Sequence, residues 1–137
     1  MRNLHRALIL TALCLSASAC DYLGLTAPGP ESLNGLWIRT SEVPGSSEQW
    51  QLAVDGPRIT GSGTWTGEAC CDGTLAVTGT IVDDSIHVDV TYTPRGATQV
   101  SHEHFDGALE SKTILRAALR YDDGTVAAVR FQKVIPI

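Results

Sequence analysis

Basic residues are in the minority in this 137-residue chain, with 10 lysines and arginines against 15 aspartates and glutamates and a formal net charge of -5. The basic residues after the N-terminal region, from Arg39 to Lys133, are scattered and never adjacent. A nucleic-acid interface or electrostatic docking on anionic lipid needs a basic patch, so the composition argues against both. Helical periodicity is missing from residue 35 onward, and after Cys20 no apolar run approaches the ~20 residues that a membrane helix needs. Catalytic patterning is missing as well. No Ser-His-acid motif is present, and the paired carboxylates Asp83-Asp84 and Asp122-Asp123 fall in turns, where aspartate ordinarily hydrogen-bonds the local backbone. The expectation is a non-enzymatic protein with no catalytic residue, no cofactor and no nucleic-acid partner.

What the chain does have begins at its N-terminus. Met1 to Arg6 carries basic residues, Ala7 to Leu15 is apolar, and Ser16-Ala17-Ser18-Ala19 is a run of small residues. That order is an export signal rather than part of a fold. Ala17-Ser18-Ala19-Cys20 resembles a bacterial lipobox, in which the chain is cut before the cysteine and lipid is attached to its sulfur. The resemblance implies lipidation at Cys20 and a membrane partner reached through acyl chains, which contribute about 0.8 kcal/mol per buried methylene. It implies export to the periplasm or cell surface, anchored to the inner or outer membrane of a bacterium. Loss of residues 1–19 removes Arg2 and Arg6 and no acid, leaving a charge of 8 - 15 = -7. The expected organisation is a signal peptide at 1–19, a lipidated tether at 20–34 and one β domain at 35–137. The tether, with Pro28-Gly29-Pro30 and no periodicity, would span on the order of 20 Å as a flexible coil.

From Gly35 the hydrophobic period is two. Eight strands are predicted, at 35–40, 48–54, 58–66, 74–82, 85–93, 100–109, 113–121 and 125–134. Short turns join them at Asp55-Gly56, Asp83-Asp84 and Asp122-Asp123-Gly124, and slightly longer loops lie at 67–73 and 94–99. Consecutive strands on short turns make an antiparallel meander, and eight of them close most economically into an up-and-down barrel without edges. The fold class predicted is therefore all-β and monomeric. A two-residue turn at Asp83-Asp84 sets Ile81 against Ile86, Gly79 against Val88, Val77 against Val90 and Leu75 against Tyr92. A three-residue loop at 122–124 sets Leu119 against Ala127, Ala117 against Val129 and Leu115 against Phe131. A turn at Asp55-Gly56 would pair Val54 with Pro57, Leu52 with Ile59, Trp50 with Gly61 and Glu48 with Gly63.

These registers put an almost wholly apolar set on the inner face. Gly61, Gly79 and other small residues could leave a ligand cavity lined by Trp50 and Phe105 and rimmed by Trp65, Tyr92 and Tyr121. The same glycines equally read as relief for aromatic bulk, because eight strands make a lumen only just wide enough for side chains, and a filled lumen is the expectation. Gly35-Leu36-Trp37 at the start of the first strand is similar to the Gly-x-Trp that opens lipocalins. In size and loop length the domain looks more like an avidin-type barrel. The resemblance to this calycin group implies a carrier of a small apolar ligand inside the barrel. An alternative partner is a protein, such as a hydrolase to be inhibited, held by the loops at 67–73 and 94–99.

Two further constellations carry chemistry. His87 and Asp89 share the outward face of the fifth strand, and His102, His104 and Asp106 that of the sixth, with Glu103 and Phe105 opposite. A loop near 95–98 would bring Asp89 against His104 and His87 against Asp106. Three imidazoles and two carboxylates suit zinc or copper(II). Metal ligands favour shielded positions with supporting partners, whereas this face is open, so no metal is expected. Cys70-Cys71 is the second. Adjacent α-carbons lie about 3.8 Å apart, below the usual disulfide span, so a bond between them would be strained and reducible. The pair is either a redox or ligand-stacking element or, more simply, a loop staple or two unlinked thiols.

Overall fold

A computed structural model describes residues 27–41, 44–67 and 71–137. The expected signal peptide, Cys20 and the Cys70 half of the cysteine pair lie outside the described residues. Among those described, no helix is long and apolar enough to cross a membrane.

Eight antiparallel strands close into an up-and-down barrel in sequence order. They are β1 (Gly35–Thr40), β2 (Ser47–Asp55), β3 (Arg58–Thr66), β4 (Asp72–Val82), β5 (Ser85–Pro94), β6 (Ser101–Ser111), β7 (Ile114–Arg120) and β8 (Val126–Lys133). Closure comes from Trp37, Ile38 and Arg39 of β1 pairing with Lys133, Gln132 and Phe131 of β8. A 3-10 helix, Pro30–Leu33, precedes β1 and buries Leu33 in the core. The segment read as tether is therefore partly folded, and its last residues pack with the barrel.

The alternation that marks the strands also fills the lumen. Trp37, Trp50, Phe105 and Phe131 are fully buried, with Leu52, Ile59, Val77, Val90, Leu115 and Leu119 around them. Trp50 sits between the two phenylalanines, its ring centroid 4.2 Å from Phe131 and 5.1 Å, edge-on, from Phe105. Only a void of about 10 Å³ remains beside Trp50, Phe105 and Leu115. That is about one water's worth of room. The interior is thus packed as proteins usually are.

Gly63 faces Trp50 and Gly61 faces Leu52. An added Cβ at Gly61 would stand 2.7 Å from the Gln51 carbonyl oxygen and 2.8 Å from Leu52 Cδ2, so the strands leave no room there. The register of this hairpin corrects the expected one by two residues: Val54 pairs with Ile59 and Asp55 with Arg58, and the turn is Gly56-Pro57. Pro57 has no N–H to give a ladder, so it belongs in the turn rather than opposite Val54. The Asp83-Asp84 and 122–124 registers are found as expected. Gly35 has φ +125, a conformation that L side chains rarely adopt, and leads straight into Trp37, whose Nε1 donates to the Leu33 carbonyl at 2.8 Å. Lys133 lies over the Trp37 ring at 5.7 Å. Arg130 faces Arg116 of β7 in the ladder.

Candidate functional site

The barrel is sealed by apolar side chains along most of its length but becomes polar at the end where β1, β3 and β5 finish and β2 and β6 begin. There a cavity of about 300 Å³ is lined by Arg39, Glu48, Trp65, Tyr92 and Glu103, with Ser41, Ser46, Ser47, Thr66 and Ser101 around the opening. Each charged member arrives by strand alternation. Arg39 shares the inward face with Trp37, Glu48 with Trp50, and Glu103 with Phe105.

Glu48 is the buried anchor of this mouth, 7% exposed. Its Oε1 accepts from Trp50 Nε1 at 2.5 Å and from the Tyr92 hydroxyl at 2.7 Å, and its Oε2 accepts from Arg39 Nη1 at 3.1 Å. Three donors on strands β1, β2 and β5 satisfy both oxygens, the condition under which a carboxylate can be buried. Arg39 also lies over the Phe105 ring at 5.9 Å. The tyrosine is pushed well above the ordinary phenol range, first by burial and then by the Glu48 charge beside it.

Glu103 is differently placed. Its Oε2 is buried and has no hydrogen-bond partner, and the same holds for Trp65 Nε1. Burial raises the Glu103 carboxyl pKa; the Tyr92 hydroxyl opposes that, Glu48 adds to it and Arg39 opposes it. Trp65 packs edge-on to Tyr92 with centroids 6.2 Å apart. It lies over Gly73, its partner across β3 and β4, where an added Cβ would come within 2.8 Å of Nε1. The mouth therefore combines a satisfied ion pair, a carboxylate with one unpartnered buried oxygen and an edge-packed aromatic pair.

Of the residues expected to form a ligand pocket, the structure brings only Trp65 and Tyr92 to this cavity. Trp50 and Phe105 belong to the filled core, and Gly61 and Gly79 are places of close strand approach. Tyr121 is a correction: it lies just beyond β7, 44% exposed, and does not line the cavity. Arg39, Glu48 and Glu103 were missed, although charged residues at inward parity in an apolar strand are a readable sign.

The second cluster lies outside the barrel on β5, β6 and β7, with Asp89 opposite His104 and His87 opposite Asp106 as expected. Asp106 Oδ1 is 2.6 Å from His87 Nδ1 and 3.0 Å from His104 Nε2, and its Oδ2 accepts from Arg120 Nε at 2.8 Å. His104 Nδ1 meets Asp89 Oδ1 at 2.7 Å. With a carboxylate at each ring nitrogen, the protonated form of His104 can donate from both, so this setting favours the imidazolium. Its pKa is accordingly raised, chiefly by Asp89, while Asp106 is drawn down to about 2, chiefly by His87. His102 is not part of the group, since its Nδ1 pairs with Thr91 Oγ1 at 3.1 Å. Ligand atoms of His87, His104 and Asp106 do fall within 4.8 Å of one another. A metal there would have to displace the protons that hold the network together.

No protein-family model matches the chain, and no curated protein matches its sequence. What can be said of activity therefore comes from the site alone.

Proposed function

We propose that the protein is an exported lipoprotein, anchored through Cys20, whose calycin-like barrel is a monomeric, non-enzymatic binding module. Binding takes place at the polar mouth rather than in the apolar lumen. One observation carries this reading: the mouth holds a cavity of about 300 Å³ with a buried, unpartnered carboxylate oxygen on Glu103, while the middle of the lumen, beside Trp50 and Phe105, keeps only about 10 Å³. Unsatisfied buried polar atoms cost about 1–3 kcal/mol each, a cost that a ligand supplying the missing partner recovers. Ligand sites commonly occupy the mouths of barrels, with a few placed polar groups over an apolar floor. Here Trp65 and Tyr92 supply the aromatic part of the lining.

The anchor and the module are tested separately. Radiolabelled palmitate incorporated by cells expressing the wild-type chain should vanish in Cys20→Ser, and persistence of the label would remove the anchor. For the module, a fatty-acid fluorophore should show no saturable binding, whereas small polar fragments should shift the Trp65 indole proton resonance. Saturable fluorophore binding with an unmoved Trp65 resonance would place the ligand in the lumen and overturn the reading.

A further inference from the structure

Resting on the mouth as the binding site, we propose that its ligand is a small molecule bearing a primary ammonium group, held by the Glu103 carboxylate beside the packed pair of Trp65 and Tyr92. Three charged side chains line the cavity. Arg39 and Glu48 neutralise each other at 3.1 Å, and both Glu48 oxygens are already occupied. Glu103 remains, with Oε2 buried and accepting nothing. When Glu103 is ionised the three charges of the lining sum to one negative, and the partner that its Oε2 lacks is then a cationic donor.

The other ligand classes fit less well. An anion would face the Glu103 carboxylate whenever that group is ionised. Calcium takes six to eight oxygen ligands, and the mouth offers one uncommitted carboxylate. A neutral ligand would leave Glu103 either ionised without a counter-charge or protonated. An ammonium group brings three donors and no acceptor: one for Glu103 Oε2 and others for hydroxyls on the rim, where Ser46 and Ser101 stand. A cavity of about 300 Å³ admits a small amine and excludes a folded partner.

Binding of this kind is linked to pH. The groups facing Glu103 are Tyr92 from β5, Glu48 from β2 and Arg39 from β1. The balance of burial, Glu48, Tyr92 and Arg39 raises the Glu103 pKa above 4.5. An ammonium ligand needs the ionised form, so its affinity should fall as pH is lowered towards that value.

The test is calorimetric titration of the full-length protein in nonionic detergent with three isosteric probes: benzylammonium, benzyl alcohol and benzoate. Benzylammonium should bind with 1:1 saturation, benzyl alcohol at least about 10-fold more weakly, and benzoate not at all. Glu103→Gln should weaken benzylammonium at least about 10-fold, while Glu103→Asp retains most of the affinity; if the Gln variant fails to fold, the Asp variant and the wild-type pH dependence decide. Equal binding of the alcohol, binding of benzoate, or indifference to Glu103→Gln would overturn the ammonium assignment while leaving the mouth as a site. If no probe saturates and none moves the Trp65 indole resonance, the ammonium assignment and the mouth reading fall together.

Discussion

Tyr92 donates its phenolic hydrogen to Glu48 Oε1 at 2.7 Å, across 44 residues of sequence and from one side of the barrel to the other. β5 and β2 are not neighbours in the sheet, so this bond, with those from Trp50 and Arg39, braces the mouth across its diameter. Removing the acceptor strands three donors at once. Glu48→Ala should cost roughly 3–5 kcal/mol, as the loss of one partner of a buried ion pair does. Tyr92→Phe removes one bond to a charged acceptor and should cost about 1.5–3 kcal/mol. Urea unfolding of the two variants and their double mutant measures this, and the double mutant should lose less than the sum.

The same contact governs the alkaline titration of tyrosine. A phenol that must ionise beside Glu48, in a buried position, stays protonated well above its ordinary range. Phenolate absorbance of wild type and Tyr92→Phe should therefore rise together while the protein is folded and separate only when it unfolds. Separation in the folded state would show that Tyr92 is solvated.

On the outer face, Asp106→Asn should lower the pKa of His104, because one of the two carboxylates holding its imidazolium is lost. Proton NMR titration of the His104 ring reads the change. The stability linkage has a definite sign. His104, raised above 6.5, contributes below that value and loses its contribution as pH rises through its folded pKa. Asp106, lowered from 3.8 to about 2, contributes above 3.8 and loses its contribution as pH falls towards 2. Both act fully between 3.8 and 6.5, and the stability advantage of wild type over Asp106→Asn should be largest in that window.

Hairpin chemistry made most of the barrel readable in advance. Asp83 tolerates φ +54 in its turn and Gly124 takes φ +84 in its loop, so these turns fixed register from local residues alone. At Asp55-Gly56 the hairpin chemistry of Asp-Gly competes with the missing N–H of Pro57, and the proline prevails: Asp55 pairs with Arg58 and the turn moves to Gly56-Pro57. The mouth was harder to see. Arg39 and Glu48 are partners in the β1–β2 ladder, but Tyr92 reaches them only when the curving sheet brings β5 around one lumen, and nothing in its spacing announces that. Leu33 likewise reads as linker until the 3-10 helix turns it inward.

Gly61→Val tests the filled lumen. The added side chain must displace the Gln51 carbonyl or Leu52, and overpacking of this kind costs roughly 1–3 kcal/mol. A variant as stable as wild type in urea would reveal space that the packed core does not contain.

The most direct test of binding at the mouth is to locate a bound probe by intermolecular nuclear Overhauser effects in the full-length protein saturated with benzylammonium. The account predicts cross-peaks from the probe to the Trp65 and Tyr92 rings and none to Phe131, which is fully buried. Cross-peaks to Phe131 or Leu115, with Trp65 and Tyr92 silent, would place the ligand in the lumen and contradict it.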